Sequence, residues 1–195
     1  VTPSTPRALR PALLALAAMA ALTGAPAHAD GEFVQADYGD EAQSITATIQ
    51  RDRVTASLGW SGYVGGHATA LWVNYGFQVD GPTWFRLGPS LRVDQAGVTE
   101  AGVRMALERF TMTDTRTLFL LADANTIQHE FQILGQLGHI PTGLAAELSY
   151  QGNDQGFRET TLAGSYRLGD SPFRLRAGYR FNAQEAFIGF SINTF

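Results

Sequence analysis

The sequence predicts an all-β fold, an antiparallel transmembrane β-barrel of about 12 strands with 10 as the second choice. Three observations carry this expectation. Period-two alternation of apolar and polar residues recurs roughly every 14 residues, while helical periodicity is nearly absent. The parity opposite the apolar one holds Arg, Glu, Gln, Ser and Gly, too hydrophilic for the dry core of a small soluble barrel. No stretch after Ala29 has the ~20 apolar residues that a membrane-spanning helix needs.

The elements follow in chain order. Residues 1–29 read as a secretory signal peptide. Arg7 and Arg10 precede an apolar run from Ala12 to Leu22, and Ala27-His28-Ala29 offers a small-x-small cleavage site. The barrel domain is then 30–195. Residues 33–38 form a weak first strand and 44–50 a good one. In 53–63, Val54, Ala56, Leu58 and Trp60 alternate with Thr55, Ser57 and Gly59. The same alternation runs through 71–79, 85–93 and 101–108. Residues 115–123 are apolar on both parities, so their facing is open. A strand over 127–137 sets Ile127, Phe131, Ile133 and Leu137 against Gln128, Glu130, Gln132 and Gln136, with His129 on the lipid parity. Runs at 144–151, 159–168 and 173–181 repeat the pattern. Turn chemistry separates the runs, as in Asp80-Gly81-Pro82, Gly152-Asn153-Asp154 and Gly169-Asp170-Ser171-Pro172. Aromatic residues gather near strand ends, Trp60, Tyr150 and Phe181 toward one rim and Tyr166, Phe173 and Phe195 toward the other, as interfacial girdles do.

The chain closes on E-A-F-I-G-F-S-I-N-T-F, residues 185–195. This ending resembles the closing strand of bacterial outer-membrane β-barrels. The resemblance implies outer-membrane localisation, lipid around the barrel, the barrel-assembly machinery as a partner during biogenesis, and Phe195 as the assembly signal. The family usually carries a large apolar residue two positions before the end, where this chain has Asn193. Phe190 and Ile192 lie on the other parity, and a bulge near Asn193 reconciles them.

Composition excludes several functions. Every basic residue is Arg, and after residue 29 twelve of the 14 face 18 acidic residues, a formal charge of −6. That acidity argues against nucleic acid as a partner. There is no Cys, so disulfides and thiolate metal sites are excluded. His67, His129 and His139 show no metal-binding spacing, and no cofactor motif is present. No Ser lies at a spacing that would make His129 a lipid-modifying catalytic group, so an enzyme is not expected.

Function is expected in the polar interior. Arg86, Arg92, Arg104, Arg167, Arg174, Arg176 and Arg180 project inward on the polar parity, with Glu108, Glu130, Glu147 and Glu159. Arg167 and Arg174 face each other across one hairpin. Arg presents a planar fork to carboxylate and phosphate, and charged rings select ions. The architecture is similar to that of narrow 12-stranded channels for acidic oligosaccharides, whose lumens are Arg-lined. The leading expectation is a narrow passive channel for small, preferably anionic, solutes. One alternative is a structural or envelope barrel, accessory to polysaccharide export, with its lumen plugged by an Arg–Glu network in which Arg180 meets Glu159. A lipid-modifying outer-membrane enzyme is a further alternative.

Overall fold

The computed structural model describes residues 31–195. The expected targeting segment, 1–29, lies outside the described residues. The chain forms 12 strands: β1 (Gly31–Gly39), β2 (Ala42–Arg51), β3 (Val54–Tyr63), β4 (Gly66–Asp80), β5 (Thr83–Asp94), β6 (Thr99–Met112), β7 (Arg116–Asn125), β8 (Phe131–His139), β9 (Leu144–Gly152), β10 (Arg158–Arg167), β11 (Phe173–Arg180) and β12 (Glu185–Asn193). Each pairs antiparallel with the next, and β12 returns to β1 to close the barrel. The weak first segment is therefore a full strand, paired on both sides: Phe33 with Asn193 and with Thr48, Asp37 with Gly189 and with Ser44.

The pleat turns the fold inside out relative to a soluble domain. Leu58, Leu71, Leu107, Leu148, Leu175 and Ile188 stand exposed on the outside. Ser57, Asn74, Ser90, Ser149, Ser165 and Ser191 are buried on the inside. Left in water, each large apolar side chain would forgo roughly 1.5–3 kcal/mol, so an exterior of this kind belongs in lipid. Backbone pairing all round the wall meets the other demand of lipid, where each unsatisfied N–H or C=O costs several kcal/mol.

Connections alternate between the two ends. Residues 40–41, 64–65, 95–98, 126–130, 153–157 and 181–184 join strands at one end, the outer one. Residues 52–53, 81–82, 113–115, 140–143 and 168–172 join them at the other, which also carries Gly31 and Phe195. We call the end that carries both termini the inner end and the opposite one the outer end, an assignment that the cysteine labelling below tests.

Two expectations are corrected. The strand expected over 127–137 begins only at Phe131, because Ile127–His129 is a 3-10 turn. Gln128 and His129 adopt left-handed φ values of 50° and 46°. The Asn125 side-chain oxygen accepts the N–H of Ile127 at 3.1 Å, which turns the chain off the sheet, and Ile127 is buried against Gly102. His129 thus sits in an exposed loop and not on a lipid-facing strand. The open facing of β7 is also resolved. Leu118 and Leu120 point to lipid, while Phe119, Leu121 and Asp123 point inward, since Leu121 pairs with Glu108 and Asp123 with Ala106.

The bulge expected near Asn193 does not form: β12 pairs with β1 without a register shift as far as Asn193. β12 stops there, the Asn193 side chain accepts the Phe195 N–H at 2.9 Å, and the Phe195 ring lies where a Gly31 side chain would be. Thr194 bonds back to Glu32, its N–H donating to the Glu32 carbonyl at 3.0 Å, which extends the closing seam by one residue. Replacing Phe195 with Asp removes the ring from this seam and should reduce the heat-modifiable, membrane-inserted fraction; normal insertion of that variant argues against a role for Phe195 in assembly. Single-Cys variants on this Cys-free background should be labelled on intact cells at Asn153 and not at Ser171, and the reverse pattern overturns the orientation.

Candidate functional site: the polar lumen

All seven inward Arg residues expected from the sequence lie on the lumen side, but their surroundings divide them. Arg86 on β5 is 6% exposed and spans a chord of the lumen. Its Nε donates to Glu108 on β6 at 2.6 Å, Nη1 to Thr55 on β3 at 2.6 Å, and Nη2 to Gln50 on β2 at 2.8 Å. To reach β3 and β2 it passes over β4 at Gly76, where an added Cβ would stand 3.2 Å from Nη1. Arg176 on β11 is 5% exposed and makes a second bridge. It donates to Asp37 on β1 at 3.1 Å and to Glu147 on β9 at 3.1 Å. Gly189 of the intervening β12 keeps that path open, because a Cβ there would meet Asp37 Oδ1 at 2.3 Å.

Nearer the outer rim, Arg92 pairs with Glu100 at 2.9 Å and approaches Glu130 at 3.9 Å. Arg104 pairs with Asp123 at 2.5 Å and stacks on Trp72, 4.4 Å from the ring centroid. Arg180 pairs with Glu185 and lies over the Phe187 ring at 4.8 Å. Glu159 was expected to face Arg180. Instead its two oxygens accept the N–H groups of Asn182 and Ala183 at 2.9 Å each, fastening the last outer loop. Glu185 begins the closing strand and lies closer to Arg180 in the register, directly opposite it, so it takes the guanidinium.

The surplus positive charge implied by seven Arg against four Glu is therefore absent. The lumen also receives Asp37, Glu100, Asp123 and Glu185. Asp37 belongs to the strand that alternated weakly and Asp123 to the strand whose facing was open. Glu100 and Glu185 sit at strand starts, at the margins of the alternating runs. Their signal was parity: Glu100 lies two residues before Gly102 and four before Arg104, on the same face.

Arg167 and Arg174 remain different. They are direct cross-strand partners at the inner end. Among the described residues neither forms an ion pair. Arg174 donates to the Gly143 carbonyl at 3.1 Å, and Arg167 Nε is buried with no partner. Two guanidiniums facing each other with most donors unused form a standing demand for an anion. At the outer end, by contrast, His129 Nδ1 lies 2.6 Å from Asp154 and ties two loops together, and this hydrogen bond holds the Asp154 carboxyl below its usual range.

The two kinds of Arg should respond differently to mutation. Arg176→Gln strands Asp37 and Glu147 in the packed lumen, and breaking a buried pair costs about 3–5 kcal/mol. Arg174→Gln removes a head that water already reaches and should shift stability by no more than about 0.5 kcal/mol. Thermal unfolding of the refolded proteins in detergent checks this, and an Arg176→Gln variant as stable as the parent overturns the bridge as a structural element.

No family model and no curated protein matches the chain. Solved structures do. One titled "KdgM porin" superposes with a TM-score of 0.57 at 12% identity, over 83% of this chain and 98% of that one. Another, "KdgM porin in complex with disordered oligogalacturonate", gives 0.55 at 13% identity over the same shares. At this identity the likeness is one of fold: the chain has the closed, antiparallel barrel architecture of these porins.

Proposed function

We propose that the protein is a passive outer-membrane channel for small organic anions, with the Arg167–Arg174 pair as its anion-attracting element. The observation that carries this reading is the contrast among the lumen Arg residues. Five are neutralised by carboxylates within the wall, and two that face each other across the innermost pair of strand positions have no carboxylate partner among the described residues. Like charges side by side oppose folding, so an unmatched pair in a lumen otherwise rich in carboxylates points to use. The oligogalacturonate recorded with the porin of similar fold is a polyanion, which supports the same solute class. The reading assigns no reaction to the chain, and His129, already held by Asp154, is not given a catalytic role.

The buried Arg86 and Arg176 bridges favour a second reading, a structural barrel whose lumen is filled by its own side chains. Planar-bilayer recordings separate the two. The channel reading expects a conductance with anion preference under a salt gradient. Changing both Arg167 and Arg174 to Gln should lower the anion-to-cation permeability ratio, by about ten-fold at low salt. The difference should shrink toward 1 M salt, where the Debye length falls from ~10 Å at 0.1 M to ~3 Å. Folded, inserted protein that conducts nothing sinks the channel and leaves the structural barrel.

A further inference from the structure

The inner half of the lumen has an apolar wall that the charge pattern does not explain. Phe110 on β6 pairs directly with Phe119 on β7, and Leu121 on β7 pairs with Leu134 on β8. All four face inward. Glu108, two residues before Phe110, receives the lumen-spanning Arg86, and it pairs with Leu121. These side chains are not packed away, since Phe110 is 51% exposed and Phe119, Leu121 and Leu134 are each partly exposed. Trp84 on β5 extends the arc, lying under the Arg86 guanidinium.

The strand order sets this arc on the same end of the lumen as the unpaired cations. Between β7, which carries Phe119, and β10, which carries Arg167, lie only β8 and β9. In the register Phe119 lies level with Ala163, so three strand spacings of ~4.8 Å and the four residues from Ala163 to Arg167 put Phe119 and Arg167 roughly 20 Å apart along the wall. Phe110, Phe119, Arg167 and Arg174 all lie near the inner ends of their strands. A solute at this mouth therefore meets a carboxylate-binding fork on one side and aromatic faces on the other.

We infer that the inner mouth selects aromatic carboxylates, solutes with a planar apolar body and one anionic group, over equally charged but hydrophilic sugar acids. The inference rests on the channel reading and specifies its substrate class. A carboxylate takes the free donors of Arg167 and Arg174, and its ring takes offset or edge contact with Phe119 and Phe110. A sugar acid satisfies the cations equally well but covers the phenyl rings with hydroxyl groups that prefer water.

The test is block of the chloride current by benzoate and by glucuronate, two monoanions, added on the inner side. Benzoate should block at a concentration about ten-fold lower, the scale of one aromatic contact plus burial of its surface. The double variant Phe110→Ser/Phe119→Ser should bring the two blocking concentrations together while leaving the chloride-to-potassium preference intact. Phe110→Ser alone, at the most exposed position, should narrow the gap if the double variant assembles poorly. Equal block by the two acids in the parent channel, with anion preference present, overturns the inference and spares the channel reading. A gap that survives both variants also overturns it. Absence of anion preference in the parent removes the channel reading and this inference with it.

Discussion

Backbone closure is the constraint on which the rest of this structure depends. In lipid there is no water to satisfy an open edge, so β1 must meet β12 or neither can lie in the membrane. That requirement gives Gly31–Gly39 a definite structure although its own alternation is weak. It also explains the chain's last turn of backbone. Asn193 ends the ladder with its own side chain, Thr194 bonds to Glu32, and the Phe195 ring covers Gly31. Once the edge is closed, the period-two pleat sends every second residue to lipid and the others into a common interior.

That interior poses a problem opposite to that of a soluble core. It must hold charged and polar groups in a space narrow enough that many lose water, and buried charge is tolerated only when paired. Arg86 and Arg176 answer it with long, multidentate reach. Each ties together strands that are not neighbours, β5 to β3 and β2, and β11 to β9 and β1. Gly76 and Gly189 are part of the same device, because a side chain at either place would block the guanidinium or its acceptor. Glycine in a strand otherwise weakens it. Here the loss is offset by cross-lumen bonds that strand pairing alone cannot supply.

The sequence made the fold legible wherever only one parity was apolar. Residues 53–63, 71–79 and 85–93 alternate cleanly, and the facing of β3, β4 and β5 follows from that. β7 was illegible because a lumen that itself contains Phe119 and Leu121 erases the contrast with Leu118 and Leu120. The 3-10 turn at Ile127–His129 was hidden for a related reason. Its residues continue the alternation of β8 in letters, while the Asn125 side chain captures the Ile127 N–H and Thr126 bonds to Val103, so the chain leaves the ladder there. In the site, the identity and facing of the seven Arg residues were readable from parity. Their partners were not, since Asp37 and Asp123 lie in the two least periodic strands, and Glu185 was one of two carboxylates able to reach Arg180.

On the proposed channel reading, the distribution of charge along the lumen has a consequence for transport. The outer half of the lumen carries Glu100, Asp123, Glu130, Glu159 and Glu185 with Arg92, Arg104 and Arg180, so it is acidic, and the Arg167–Arg174 pair makes the wall locally basic at the inner end. An anion entering from outside passes an unfavourable rim before reaching a favourable site. The barrier and the well act on the same solute in both directions. In a passive pore they cannot create net flux against a gradient, and they set only how often the pore is entered and how long the inner site is held. Conduction needs a site strong enough to enter and weak enough to leave. A pair of Arg residues half open to water at the mouth meets that condition better than a cation buried at mid-lumen. The deeply placed Arg86 and Arg176 are already neutralised, so on the proposed channel reading they serve the structure and the half-open pair serves solutes.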